Sequence, residues 1–293
     1  DLMLFPPKET FRMLTAAALA AVCIFTQANE LSSEEQLIIY ELNRARNDPL
    51  RFQSEHSTVV VTDLSGITPR TALAVHQGLV DSAGFKAEEM AANNYFSHQS
   101  EVTGIWPNQL AIDNGYPLPD IFGTVVNTIE SNALVDNLPN PIILMLEKLI
   151  ESPPHRRHLM ATVDQFAEHR EIGVGIAVAP AKATKRLMSI HTAYQVKTDL
   201  FLTGVVYNDI NKNKRYDLGE GLSGVVVSDG SASTASRTQG GWVLKTIPGS
   251  YTLTATGAAF SGTATAQAVV TTNNVAVDFD SGNSKGEVNF ERQ

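Results

Sequence analysis

Ile172-Gly-Val-Gly-Ile-Ala-Val178 interleaves aliphatic residues with glycine and alanine, and it reads as a strand. With Leu187 to Val196 it predicts a hairpin joined by a loop containing Pro and Lys. What flanks the hairpin decides the fold. Upstream, Ser32-Ser33-Glu34-Glu35 opens a helix, with a Ser three residues ahead of a Glu as in a capping box. Leu37, Ile38, Leu42 and Ala45 share one face of it, and Asn47-Asp48-Pro49 ends it. A second helix is expected from about Thr71 to Asn94, with Leu73, Leu79, Ala83, Ala87, Met90 and Ala91 as its apolar stripe. After a Pro- and Asn-rich stretch from Glu101 to Pro141, a third helix is expected from Ile142 to Glu151, stopping before Pro153-Pro154. Downstream of Lys197 the texture changes. His disappears, Val, Thr, Gly and Ser dominate, and short runs recur at 203–207, 225–228, 241–246, 251–255, 263–270 and 275–279. Strand-length runs separated by turn residues are the mark of a small all-β sandwich. The fold class is therefore α+β, with one domain over 30–198 and a second over 199–293.

The chain has 293 residues, room for one large domain or two ordinary ones, and the change at 198 favours two. Its 22 Lys and Arg against 31 Asp and Glu give a net charge of −9, so it lacks the basic surplus that binds phosphate backbones and no nucleic-acid partner is expected. The single cysteine, Cys23, excludes an internal disulfide and a four-cysteine zinc site. It lies inside Met13 to Phe25, an apolar run preceded by Lys8 and Arg12 and followed by Thr26-Gln27-Ala28. That order predicts a secretory signal peptide over residues 1–28. The alternatives are a lipoprotein signal acylated at Cys23, with Val22 where Gly or Ala is usual, and a buried N-terminal helix. No later segment approaches about 18 uninterrupted apolar residues, so no transmembrane span is expected in the mature chain. The expected location is secreted, cell-surface or periplasmic.

Four stretches stand out in order: Leu42-Asn-Arg-Ala-Arg-Asn-Asp-Pro49, Asn94-Tyr-Phe-Ser-His98, Ser152-Pro-Pro-His-Arg-Arg-His-Leu159 and Glu171-Ile-Gly-Val-Gly-Ile176. Together they resemble the CAP superfamily (also called the SCP or pathogenesis-related-1 family) in its bacterial secreted form, over roughly Glu30 to Lys197. The resemblance implies an α-β-α sandwich with a central cleft, which in many members is lined by two His and two Glu able to hold zinc or another divalent metal. His98 matches the His after the aromatic-Ser pair. Glu130 matches the Glu of the family's Gly-Glu-Asn motif, although its neighbours here are Ile129 and Ser131. His191 stands where the family has a His-Tyr-Thr-Gln strand motif. With Gln195 in register, it is one residue too far back and is expected on the wrong side of its strand. Glu147 and Glu151 are candidates for the second Glu, and His155 is a candidate for the same cleft.

From the residues alone, an imidazole beside a carboxylate binds a metal, acts as a general base or satisfies a buried hydrogen bond, and these readings stay open for His98. At His155, beside Arg156 and Arg157, capping of helix carbonyls competes with a cleft role. His158 and His169 are expected at the surface, His56 and His76 in structural or solvated positions, and Arg44 and Arg46 in ion pairs at a helix end. There is no Gly-x-Ser-x-Gly elbow, no His-Glu-x-x-His signature and no mature cysteine, so no nucleophile is assigned.

Asp209-Ile-Asn211-Lys-Asn213-Lys-Arg215-Tyr-Asp217-Leu-Gly-Glu220 places oxygen side chains at positions 1, 3, 5, 9 and 12 of a twelve-residue loop, and Arg215 at position 7 offers its carbonyl. That is calcium-loop spacing, with Lys214 where the turn usually has Gly. Weak affinity, about 10⁻⁴ to 10⁻³ M, is expected; a polar Asn-rich turn is the plainer alternative. The flanks Leu202–Tyr207 and Gly221–Val227, with Gly240–Val243 and Ile247–Leu253, resemble the calcium-binding B-type domains of serine–aspartate repeat adhesins. That resemblance implies an immunoglobulin-like sandwich acting as a spacer or adhesive module. The leading functional expectation is a secreted binding protein for a lipid, sterol or cell-envelope ligand. The alternatives are an extracellular hydrolase or peptidase centred on His98 and Glu130, and a wall-associated structural spacer.

Overall fold

The structure, a computed structural model, describes residues 29–136, 142–197 and 199–289. The expected export signal and Cys23 lie outside the described residues.

Helix α1 (Ser33–Asn47) opens with the expected capping box: Glu35 N donates to Ser32 Oγ, and Ser32 N donates to Glu35. Asp48 then caps a short helix, α2 (Pro49–Glu55), by accepting from Arg51 N. The next helix, α3 (Gln77–Asn93), begins six residues later than expected, because Ala74–Val75 forms a strand, β1, and His76 Nδ1 accepts from Gly78 N as the cap. Four further helices follow: α4 (Pro107–Asp113), α5 (Ile143–Glu151), α6 (Pro153–Leu159) and α7 (Asp164–Ala167). The expected hairpin is present as β3 (Glu171–Val178) and β4 (Arg186–Ala193), and β4 also pairs with β2 (Glu130–Val135). The sheet order is β1-β3-β4-β2, so β2 lies at an edge.

The glycines of β3 have a steric reason. A Cβ on Gly173 would lie 2.0 Å from the Leu79 carbonyl carbon, and one on Gly175 would lie 2.3 Å from the Ala83 carbonyl oxygen. Only glycine lets the backbone of α3 lie directly on the strand. On the other face, α1 and α5 bury Leu37, Ile38, Leu42, Met145, Leu146 and Leu149 together with Val174 and Ile190.

Residues 200–289 form two four-stranded sheets. One is β12 (Glu287–Asn289), β11 (Val275–Asp280), β5 (Leu200–Tyr207) and β8 (Gly241–Thr246). The other is β10 (Thr263–Val270), β9 (Gly249–Thr256), β6 (Val226–Ser228) and β7 (Ser233–Ala235). Both contribute to one core around Trp242, Leu253, Val277 and Phe279. The chain is thus a mixed α+β protein, with three small sheets among the described residues.

The two segments are joined by buried contacts. Val205, Tyr207 and Tyr216 belong to the same apolar core as α1, and Tyr216 meets Tyr40 edge-on at 5.5 Å. Fully buried Asn274 accepts from Phe201 N and donates through Nδ2 to the Ala72 and Arg170 carbonyls.

Candidate functional site

Glu130 starts the edge strand β2, and its side chain is fully buried among donors. Its Oε1 lies 2.7 Å from His98 Nδ1 and accepts from Asn132 Nδ2 at 2.7 Å. Its Oε2 lies 3.1 Å from His191 Nε2 and accepts from Ser189 Oγ at 3.2 Å. Burial alone would raise its pKa, but the hydrogen bonds from His191 and His98, with the Lys86 ammonium nearby, hold it at about 2. Glu130 is therefore an ionised carboxylate at neutral pH with both oxygens in use.

The two imidazoles differ in environment. His191 is completely buried, and its Nδ1 lies 2.8 Å from Ser82 Oγ. Since Ser82 Oγ donates to the Leu79 carbonyl, Nδ1 is left to donate to Ser82, and both ring nitrogens are committed. His98 is 41% exposed, so its ring reaches solvent from a buried carboxylate. The expectation that His191 faces the wrong side of its strand is corrected. Antiparallel pairing sets Glu130 directly opposite His191, and Cβ atoms directly opposite share a face.

His155 bonds through Nδ1 to Ser152 Oγ at 2.9 Å, in the first turn of α6, where it caps no carbonyl. Arg156 performs that task, donating to the Ile150 and Glu151 carbonyls at the end of α5. Burial, then repulsion from His98, lowers the His155 pKa. The two candidates for a second cleft Glu lie elsewhere: Glu147 bonds His56 at 2.8 Å, and Glu151 accepts from Val61 N and Thr62 N. Among the described residues no group of three or more His, Cys, Asp or Glu is arranged to hold a metal, and His191 has no free nitrogen to offer one. The cleft residues as placed do not fit the expected zinc or other divalent metal.

Three further expectations are corrected. His158 and His169 are buried rather than at the surface, and Arg46 has no carboxylate partner among the described residues. His158 bridges Ser131 Oγ and Thr192 Oγ1, each at 2.7 Å, and His169 Nδ1 reaches the same Thr192 at 2.8 Å. Burial holds the His158 ring neutral, with a pKa of about 3, and the His169 value is also well below the ordinary one. Arg46 is completely buried and donates to the carbonyls of Thr71, Leu159 and His169. Arg44 does form ion pairs, with Glu41 and Glu55.

Ser82, Lys86, Asn127, Asn132 and Ser189 are parts of the site that sequence reasoning missed. The signal for two of them was present: Ser82, Lys86 and Glu89 follow i, i+4, i+7 on α3, and all three are buried. Polar residues inside an apolar stripe mark a polar network.

Beside the dyad, a groove of about 220 Å³ runs along β2 and is lined by Phe96, Asn132 to Val135, Met145, Lys148, Leu149, Ser152 and His155. Its walls are mainly apolar, and its ionisable groups are Lys148 and His155.

The loop from Asp209 to Glu220 has a closed hydrogen-bond pattern. Asp209 accepts from Asn213 N and Lys214 N, and Glu220 accepts from Ile210 N and Asp217 N. Asn211 and Asn213 both donate to Asp217 Oδ2. Lys214 adopts φ +62°, the left-handed conformation for which that position usually uses glycine. The Arg215 side chain turns out to Glu55 at 2.8 Å.

No family model matches the chain, and no curated protein matches it. Among solved structures, it is similar to an outer surface protein from Borrelia burgdorferi, at 12% identity and a TM-score of 0.37, over 57% of this chain and 99% of that one. It is also similar to an extracellular protein containing an SCP domain from Bacillus anthracis, at 17% identity and a TM-score of 0.32, over 54% of this chain and 41% of that one. A DUF3823 family protein from Bacteroides ovatus matches 28% of this chain and 43% of that one, at 20% identity and a TM-score of 0.21.

Proposed function

We propose that the chain is an exported binding protein of the CAP type whose β2 groove takes an apolar or cell-surface ligand beside His98 and Glu130. The observation that carries this reading is the groove itself: an apolar trough bordered by Phe96, Leu134, Met145 and Leu149, with His155 and Lys148 as polar contacts. Concave, mostly apolar sites with a few placed polar groups are how proteins hold small ligands. The apolar walls supply affinity, and the Lys148 ammonium orients an anionic end. No helix among the described residues is long and apolar enough to cross a membrane.

In this reading the 209–220 loop takes calcium weakly and stiffens the β segment, which resembles a B-type adhesin module. Asp209, Asn211, Asn213, Asp217 and Glu220 supply side-chain oxygens and Arg215 its carbonyl. Rotating the Asn211 and Asn213 amides exchanges nitrogen for oxygen at the loop interior. The left-handed Lys214 supports this reading, because the backbone already has the turn that such a loop requires.

A second reading, an extracellular hydrolase or peptidase, is favoured by one observation: the exposed His98 ring anchored on buried, ionised Glu130, the arrangement of a general base.

The test is titration of the full chain with an apolar fluorophore, with Phe96→Glu and His98→Ala as variants. Saturable binding that Phe96→Glu abolishes supports the groove; absence of saturable binding overturns it. Ester or peptide hydrolysis that is lost in His98→Ala would move the conclusion to the second reading.

A further inference from the structure

The groove is built on an open strand edge. Thr192 N donates to the Ile129 carbonyl at 2.8 Å, which fixes the phase of the β2–β4 ladder. In that phase residues 131, 133 and 135 exchange bonds with β4, while 130, 132 and 134 aim their N–H and C=O groups away from it. The outward groups of Glu130 are already satisfied: its N–H donates to Asn127 Oδ1, and its carbonyl accepts from Asn127 Nδ2. One side-chain amide there takes the place of a neighbouring strand. The outward groups of Asn132 and Leu134 have no partner among the described residues, and both residues line the groove. In addition, Asn132 Oδ1 is buried without a hydrogen-bond partner, on a residue only 5% exposed. Buried polar groups left unpaired cost free energy, so this edge favours an occupant that offers donors and acceptors.

An acyl chain or a sterol ring would fill the apolar walls and leave that ladder unsatisfied. An extended peptide satisfies both, because its backbone pairs with the edge while alternate side chains enter the trough. Charge narrows the class further. The ionisable lining groups are Lys148 and His155, with no carboxylate among the lining residues, in a protein whose net charge is −9. The Lys148 ammonium thus makes the groove complementary to an anionic group, with the half-buried His155 imidazole beside it as a neutral hydrogen-bond donor.

We propose that the groove binds a short extended peptide, with small apolar side chains and a free carboxylate, as an added strand on β2. The peptide backbone pairs with the N–H and C=O groups of Asn132 and Leu134, which lie about 7 Å apart along the strand. The Lys148 ammonium receives the carboxylate, and the His155 imidazole is a hydrogen-bond donor beside it. This rests on the binding reading given above and names its ligand class.

The experiment uses the full chain with the apolar fluorophore bound, and adds tetrapeptides of alanine, valine and leucine as free acids, as C-terminal amides and with alternate N-methylated backbones. Amide hydrogen exchange is followed by NMR. The expected result is displacement of the fluorophore by the free acids, with slowed exchange at Asn132 and Leu134 and unchanged exchange at Ser131 and Ala133. Amidation, N-methylation or Lys148→Glu should each weaken displacement by about tenfold. If the fluorophore binds and the peptides neither displace it nor slow exchange at Asn132 and Leu134, the peptide assignment is overturned while the groove reading stands. Equal binding of acid and N-methylated peptides also overturns it, because strand addition needs the peptide N–H. Slowed exchange at those two amides that depends on protein concentration, without peptide, would make the occupant a second copy of the chain and overturn it as well.

Discussion

His191 and Glu130 face each other across the β2–β4 pair, with His191 Nε2 3.1 Å from Glu130 Oε2 and both side chains fully buried. Removing either member strands the other in the protein interior, where an uncompensated charge is costly. The dyad at the solvent end, His98 with the same Glu130, lacks that penalty because His98 is exposed.

Glu130→Gln is therefore expected to destabilise the chain strongly. The folded carboxyl sits at about 2 against an ordinary 4.5. A depressed folded value contributes stability that is fully present above the ordinary value and is lost as pH falls toward the folded one. The contribution is on the order of 3 kcal/mol at neutral pH, and the gap between wild type and variant should narrow between about pH 4.5 and pH 2. Urea denaturation at several pH values checks this; a gap independent of pH would refute it.

At His56 the sign is opposite. Burial lowers its pKa, but the Glu41 carboxylate 3.8 Å from Nε2 and the Glu147 carboxylate hydrogen-bonded to Nδ1 at 2.8 Å outweigh that and raise it above the ordinary 6.5. A raised folded value contributes stability below the ordinary pKa that is lost as pH rises through the folded one. Wild type should therefore exceed His56→Gln in stability by most at pH 6 and by less as pH climbs above 6.5. Thermal melts across that range read the trend, and a growing difference with rising pH would contradict it.

Calcium should raise the melting temperature of the full chain relative to chelator. With a dissociation constant of about 1 mM, 10 mM calcium adds about 1.4 kcal/mol. Asp217→Ala should remove the response, since Asp217 is the carboxylate on which Asn211 and Asn213 converge. Identical melts with calcium and chelator would count against the loop as a site.

Asn274→Ala should cost about 1 to 3 kcal/mol, because it strands buried Phe201 N and removes the Nδ2 donor from the Ala72 and Arg170 carbonyls, the latter keeping its bond from Ala74 N. Denaturant unfolding of wild type and variant measures it. A loss below about 0.5 kcal/mol, usual for an indifferent surface position, would show that this residue does not tie the segments together.

Much of the local structure was legible from short-range chemistry. Ser32 and Glu35 announced α1, Pro49 and Pro153 marked helix boundaries, and the β hairpin and six later strand runs followed from alternation and turn residues. The strand β1 was missed because two residues carry no periodic signal; their pairing with Glu171 and Ile172 comes from the far end of the segment. His158, His169 and Arg46 were misplaced for a related reason. A charged or polar residue type predicts exposure on average, and only the folded chain shows that carbonyls and hydroxyls distant in sequence have gathered to satisfy it.

The sequence by itself determined the α+β character, the starts of α1 and α5, the hairpin and the candidacy of His98 and Glu130. Those properties depend on backbone propensity and on side-chain type within a few residues, which a linear pattern records. Tertiary structure alone decided that His191 faces Glu130, that Asn127 closes one end of the β2 edge and that the outward groups of Asn132 and Leu134 have no partner among the described residues. Register and ladder phase set these relationships. A one-residue change in either would turn each side chain to the other face, and no local signal specifies them.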